Sequence, residues 1–220
     1  MKMQQVPEQS GVYTLLIAGP VGPLELEITV PSNPRWDRVA IIGHPHPLQG
    51  GTMHNKVVTT LVRVFTQCAI PTLRFNFRGV GQSFGVYDAG QGESEDLLCI
   101  LTWWLTRYPE ARVLLSGFSF GSYVAYRAAL QWPCALLVSI APPVHHYDFT
   151  QHPKVWCPWL IVQGTTDEVV SCQEVTDFIA AHAPDVVVDY FQDTGHFFHG
   201  RLVELKTRLL AILNQYGWIK

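Results

Sequence analysis

Residues 117–121 read Gly-Phe-Ser-Phe-Gly, a serine between two phenylalanines bracketed by glycines. That composition is poor for an ordinary first helical turn, because glycine costs roughly 1 kcal/mol against alanine inside a helix. It suits a tight turn between a strand and a helix. The apolar run ARVLLSG ends at Gly117, and FGSYVAYRAAL opens a helix at Phe120 that runs to about Gln131. This is the context that G-x-S-x-G requires for Ser119 to act as a nucleophile. The turn forces the serine into a strained backbone conformation, and Gly117 and Gly121 remove side chains that would collide. The hydroxyl then projects at a helix N-terminus, where unpaired N–H groups and the dipole favour a developing negative charge. Alone, the five residues fit a glycine-rich turn with a capping serine equally well.

A nucleophilic serine needs a base for its proton, and the base needs an acid to fix its tautomer. Asp167 stands in TTDEVV, just past the apolar run WLIVQG, and His196 stands in TGHFFHG, just past VVVDYFQD. Serine, acid and histidine therefore follow in that chain order, each beyond a predicted strand. Asp148 is the rival acid, in the loop PPVHHYDFTQHP after the preceding strand, but Asp167 holds the strand-end position. Glu168 reads as solvated, and His145 and His146 as rim residues. Two backbone N–H groups must hold the oxyanion, and Phe120, just after the serine, supplies one. GHPHPLQGG (43–51) supplies the other. Pro45 and Pro47 have no N–H, which leaves His46 or Leu48, with His46 favoured. Leu48, Phe197 and Phe198 are candidates to line a substrate pocket, although the two phenylalanines fit core packing equally well. His44 and His46 form an H-x-H pair of the kind that ligates metals. The stiff His-Pro-His-Pro geometry and the lack of a nearby ligating carboxylate leave such a set incomplete, so no metal is expected and His44 reads as a hydrogen-bonded strand-end residue.

The elements that position these residues alternate. LELEITVP (24–31) alternates apolar and polar, as a half-exposed antiparallel strand does, whereas RVAIIGH (38–44) is continuously apolar, as a strand covered on both faces is. Helical spacing over 54–68 leads to the strand PTLRFNF (71–77). A helix over 94–109 follows, capped by Ser94 and ended by Pro109. After the serine's helix come the strand ALLVSIA, the strand WLIVQG, the helix SCQEVTDFIAAHA, the strand VVVDYFQD and a last helix, LVELKTRLLAILNQY. This order predicts an α/β fold, a mostly parallel twisted sheet with helices on both faces. In such sheets the chemistry lies beyond the carboxyl ends of the strands.

The 220 residues suit one domain over 1–220, with 48% hydrophobic and 15% charged residues. The net charge of −3 and the absence of a basic run give no reason to expect a nucleic-acid or anionic-membrane partner. The polar segment MKMQQVPEQS and the lack of a long apolar run predict a cytoplasmic chain without a membrane partner. The five cysteines (Cys68, Cys99, Cys134, Cys157, Cys172) show no C-x-x-C spacing and read as reduced thiols filling core positions.

The chain resembles the α/β-hydrolase superfamily over nearly its whole length. In particular it resembles a small group of bacterial serine hydrolases without a lid, marked by HPHPLxGGTMxNKVV and FNFRGVGxSxG, here HPHPLQGGTMHNKVV and FNFRGVGQSFG. The resemblance implies an α/β-hydrolase fold without a cap domain and carries the catalytic roles onto Ser119, Asp167 and His196. Asn76 stands where the broader superfamily often has aspartate, a departure in a structural turn, where Arg78 and Asp96 are expected to pair. The expected activity is hydrolysis of small carboxylic esters through an acyl-enzyme, with no cofactor. Thioester hydrolysis or acyl transfer would use the same apparatus, and a non-catalytic ligand-binding protein could keep the fold but has no need of the strained serine. Substrate identity and the choice between monomer and homo-oligomer stay open. Lids in this superfamily are commonly inserted where this chain has only Pro142 to Lys154, too short for a helical cap.

Overall fold

The computed structural model describes residues 5–150 and 155–219. Eight strands form one sheet: β1 (Gly11–Ala18), β2 (Pro23–Val30), β3 (Arg38–Gly43), β4 (Thr72–Phe75), β5 (Arg112–Phe118), β6 (Leu136–Ile140), β7 (Trp159–Gly164) and β8 (Val187–Phe191). Five helices connect or flank them: α1 (Lys56–Gln67), α2 (Gln91–Leu105), α3 (Phe120–Gln131), α4 (Cys172–His182) and α5 (Leu202–Gln215). The strand order is β1-β2-β4-β3-β5-β6-β7-β8. β2 runs antiparallel to β1 and β4, and every pairing from β4 to β8 is parallel.

Period-two alternation explains the layers. In β3, Val39 and Ile41 face one apolar cluster while Ala40 and Ile42 face the other. Helices α2, α3 and α4 cover the first through residues such as Leu97, Val124 and Phe178. Helices α1 and α5 cover the second, with Leu61 and Phe65 meeting Leu205, Leu209 and Leu213. The spacing of the three α5 leucines, four residues apart, places them on one helical stripe. Strand β1 has no counterpart among the elements expected from sequence. GVYTLLIA is an edge strand with only Ile17 buried, so its alternation is faint.

Helix α2 begins at Gln91, three residues before the expected cap Ser94. The side chain of Glu93 takes the N–H groups of Asp88 and Gly90 at 2.8 Å, capping the helix from within. Arg78 and Asp96 form the expected pair, Nε to Oδ2 at 2.8 Å and a second guanidinium nitrogen to Oδ1 at 2.7 Å, tying the turn after β4 to α2. The stretch from Pro142 to Thr150 holds only turns; the end of that interval, 151–154, lies outside the described residues. Among the described residues no helix is long and apolar enough to cross a membrane.

Three glycines let α3 start directly on the sheet. A Cβ on Gly117 would lie 2.1 Å from the Gly121 carbonyl, and one on Gly121 would lie 2.3 Å from the Gly43 oxygen. Both obstacles are backbone inside the core and cannot swing away. Gly121→Ala is expected to destabilise the protein by at least about 3 kcal/mol in urea unfolding. Gly50→Ala, at φ 78° with nothing within 4 Å, should cost only about 1 kcal/mol, the left-handed penalty alone. Equal costs at the two positions would contradict this account.

Candidate active site

Ser119 sits between β5 and α3 with φ 53° and ψ −123°, a region that non-glycine residues rarely enter and that costs of order 1–3 kcal/mol. Its N–H donates to the Ile140 carbonyl at 2.8 Å, and its own carbonyl accepts from the Ser122 N–H and hydroxyl. The neighbouring strand and the helix thus hold the strained residue in place. Ser119 lines an open cavity of about 310 Å³ with His46, Phe120, Pro143, His146 and Tyr147. A larger hollow, about 400 Å³, is lined by Trp159 at the start of β7 and by Phe149 and Phe178. It lies toward the amino ends of the strands, the wrong end of a parallel sheet for chemistry.

Asp167 and His196 come together as their loops predicted. The imidazole Nδ1 lies 2.9 Å from Asp167 Oδ2 and 3.2 Å from Oδ1, and both side chains are almost fully buried. The carboxylate fixes Nδ1 as the protonated nitrogen and leaves Nε2 with the lone pair. Burial alone would raise the pKa of Asp167. The bonds from His196 and from the N–H groups of Val170 and Val169 outweigh it and hold the group below the usual carboxylate range. Asp148 lies apart, its Oδ1 taken by the N–H and hydroxyl of Thr150.

The Phe118 ring, one residue before Ser119, lies 4.9 Å from the His196 ring. No hydrogen bond links Ser119 Oγ to His196 among the described residues, and such bonds often tighten only when substrate binds.

The candidate oxyanion donors separate clearly. The Leu48 N–H is already donated to His46 Nδ1 at 3.2 Å, and its side chain is 73% exposed. Among the described residues the N–H groups of His46 and Phe120 have no protein acceptor, and both residues line the Ser119 cavity.

Three sequence expectations are corrected. Phe198 does not line a pocket: it is fully buried against Phe191, with ring centroids 5.3 Å apart. Leu48 points to solvent and is absent from the cavity wall. Glu168 is exposed yet not merely solvated, since its Oε2 accepts the His196 N–H at 3.2 Å. Phe197 is half-exposed beside the His196 ring and opens onto a separate hollow with Lys56 and His199.

Gln163 is a site residue that sequence reasoning missed. Its amide donates to Asp167 Oδ2 at 3.2 Å and to the Val170 carbonyl at 3.0 Å, so it steadies both the acid and its loop. A signal exists: one polar residue in the apolar run WLIVQG, next to a strand end. The Tyr87–Tyr147 hydroxyl contact at 2.9 Å, which closes the aromatic wall over Phe120, has no sequence signal.

His44 is fully engaged. Its Nδ1 donates to the Pro45 carbonyl at 2.7 Å and its Nε2 accepts the Phe77 N–H at 3.0 Å, so neither nitrogen is free for a metal. Burial lowers its pKa from 6.5 to about 4, with the Pro45 contact opposing in part.

The comparisons with known proteins agree with this architecture. No protein-family profile matches the chain. An uncharacterized protein of Rickettsia prowazekii (strain Madrid E) is 35% identical over 212 residues, 90% of this chain and 89% of its own. An α/β serine hydrolase homologue from Coxiella burnetii is 44% identical, with a TM-score of 0.90 over 94% of this chain and 100% of its own. An α/β serine hydrolase without lid from Xanthomonas campestris is 37% identical, with a TM-score of 0.91 over 97% of each chain. A Pyrococcus furiosus esterase, 19% identical, shares the fold at a TM-score of 0.77.

Because His44 is neutral in the fold, the unfolded chain takes up its proton first as pH falls. The stability this group contributes is complete above about pH 6.5 and is lost toward pH 4, by up to about 3 kcal/mol. Thermal unfolding across that window should show a steeper decline for the native protein than for His44→Gln. Parallel declines would remove His44 as the cause.

Proposed function

Because the chain belongs to the α/β serine hydrolases, we propose that it hydrolyses carboxylic esters with short acyl groups, using Ser119, His196 and Asp167. The observation that carries this reading is the buried Asp167–His196 hydrogen bond at 2.9 Å, formed beside a serine strained to φ 53° at the mouth of a cavity. A binding protein gains nothing from that strain, whereas a nucleophile does. The chain is further read as one of the lid-less bacterial group through HPHPLQGGTMHNKVV and FNFRGVGQSFG.

In this mechanism Ser119 Oγ attacks the acyl carbonyl while His196 Nε2 removes the hydroxyl proton. The carbonyl π electrons move onto oxygen, and the N–H groups of Phe120 and His46 hold the resulting oxyanion. Collapse breaks the ester C–O bond, and the imidazolium returns its proton to the leaving alcohol. Water then attacks the acyl-serine with His196 again as base, releasing the acid and restoring the serine. Asp167 keeps the proton on Nδ1 and steadies the imidazolium; Gln163 and the N–H groups of Val169 and Val170 keep Asp167 charged and in place.

The cavity supports the short-acyl reading. Phe120, Pro143 and Tyr147 wall a space of about 310 Å³ that opens to solvent. A long chain would leave most of its methylenes uncovered and forgo roughly 0.8 kcal/mol for each.

A panel of esters graded by acyl length, run with native protein, Asp167→Asn and Asp148→Asn, tests the proposal. kcat/KM should peak at short acyl groups. Asp167→Asn should lose roughly 10⁴-fold in kcat, as when a triad acid is neutralised elsewhere, while Asp148→Asn stays near native. Specificity that rises steadily to fatty-acyl esters, or reversal of the two aspartate effects, would overturn it.

A further inference from the structure

Two of the five cysteines meet although 23 positions separate them in sequence. Cys134 Sγ lies 2.9 Å from Cys157 Sγ. The two residues precede neighbouring parallel strands, Cys134 before β6 and Cys157 before β7. The main chain around them is pinned: Ala135 N–H donates to the Val113 carbonyl at 2.7 Å, and Leu137 N–H donates to the Pro158 carbonyl at 3.0 Å. Sheet register therefore holds the sulfurs together, and only a small side-chain adjustment separates them from the roughly 2.0 Å of a disulfide.

Both residues line surface hollows. Cys134 lines a surface hollow of about 380 Å³ with Pro109, Arg112 and Trp132. Cys157 lines the hollow of about 400 Å³ beside Phe149 and Trp159. All five cysteines are half-buried free thiols, and Cys68, Cys134 and Cys157 pack against the core. Cys99 instead donates to the Ala18 carbonyl, and Cys172 lies near Thr176.

We propose that Cys134 and Cys157 form a reversible disulfide on exposure to hydroperoxide, a modification site separate from Ser119. The hydrogen bond from Cys157 holds the Cys134 thiol below its usual range, whereas Cys157 is pushed up, so Cys134 supplies the attacking thiolate. Its sulfur attacks one peroxide oxygen, the O–O bond breaks, and hydroxide leaves. Sulfur is oxidised by two electrons to a sulfenic acid while the peroxide is reduced. The Cys157 thiol then gives up its proton and attacks that sulfur; the S–O bond breaks and water leaves. In sum, two thiols and one hydrogen peroxide yield one disulfide and two waters. The ring so closed contains Pro143, His146 and Tyr147 of the Ser119 cavity, so the cross-link tethers the segment that shapes it.

The test uses the whole protein, reduced, desalted, treated with hydrogen peroxide, alkylated and mapped by peptide mass spectrometry. The expected product has lost two hydrogens in mass, joins the Cys134 and Cys157 peptides, and reverts with dithiothreitol. Its thermal midpoint should rise by several degrees, as closing a loop of this length predicts. Cys157→Ser should leave a sulfenic acid on Cys134 that dimedone traps. Full alkylation of both cysteines after peroxide, or a cross-link between any other pair, overturns the proposal. The peptide map of the native protein alone distinguishes these outcomes even where a variant folds poorly.

Discussion

The close approach of three glycine backbones sets the rest of the molecule. Gly43 ends β3, Gly117 lies near the end of β5 two residues before the serine, and Gly121 is the second residue of α3; their main chains pass within distances that no Cβ allows. Only then can a helix start on the end of a central strand with its unpaired N–H groups beside Ser119. The positive φ of Ser119 follows from the same geometry: the chain must reverse within one residue, and the bonds to Ile140 and Ser122 hold it there. The strain is local and small against the burial of β3 and β5 on both faces, which keeps the strand ends fixed.

From that point the site is assembled by adjacent strand ends. β7 delivers Gln163 and the loop carrying Asp167, and β8 delivers the loop carrying His196. An isolated buried carboxylate would be neutral. Here Val169, Val170, Gln163 and His196 all donate to Asp167, so the acid stays charged and the imidazole tautomer is fixed. Glu168 anchors the imidazole's own backbone, and the Phe118 ring packs against the His196 ring. The acid and the imidazole are therefore bound to one another before any substrate arrives.

Much of this is legible in the sequence because strand ends are. Ser119, Asp167 and His196 each follow a segment that reads as a strand, so their loops share the carboxyl edge of the sheet. The same logic separates Asp167 from Asp148, and the imino nitrogens of Pro45 and Pro47 narrow the second N–H donor to two residues. What stays hidden depends on side-chain direction or distant contact. Phe197 and Phe198 are neighbours of the same type, yet one faces solvent and the other the core, because Phe198 adopts a positive φ that turns it inward. Glu93 caps α2 from inside the helix, which displaces the boundary expected at Ser94. Cys134 and Cys157 have no motif spacing; only the parallel register of β6 and β7 joins them.

The most direct test asks which atom becomes covalently bound. Protein treated with a fluorophosphonate and mapped by mass spectrometry should carry a single phosphonyl group on the peptide containing Ser119, and Ser119→Ala should fold yet carry none. An adduct on Ser116 or Ser122, or labelling that persists in Ser119→Ala, would contradict the account, because the strained turn would then not present the nucleophile.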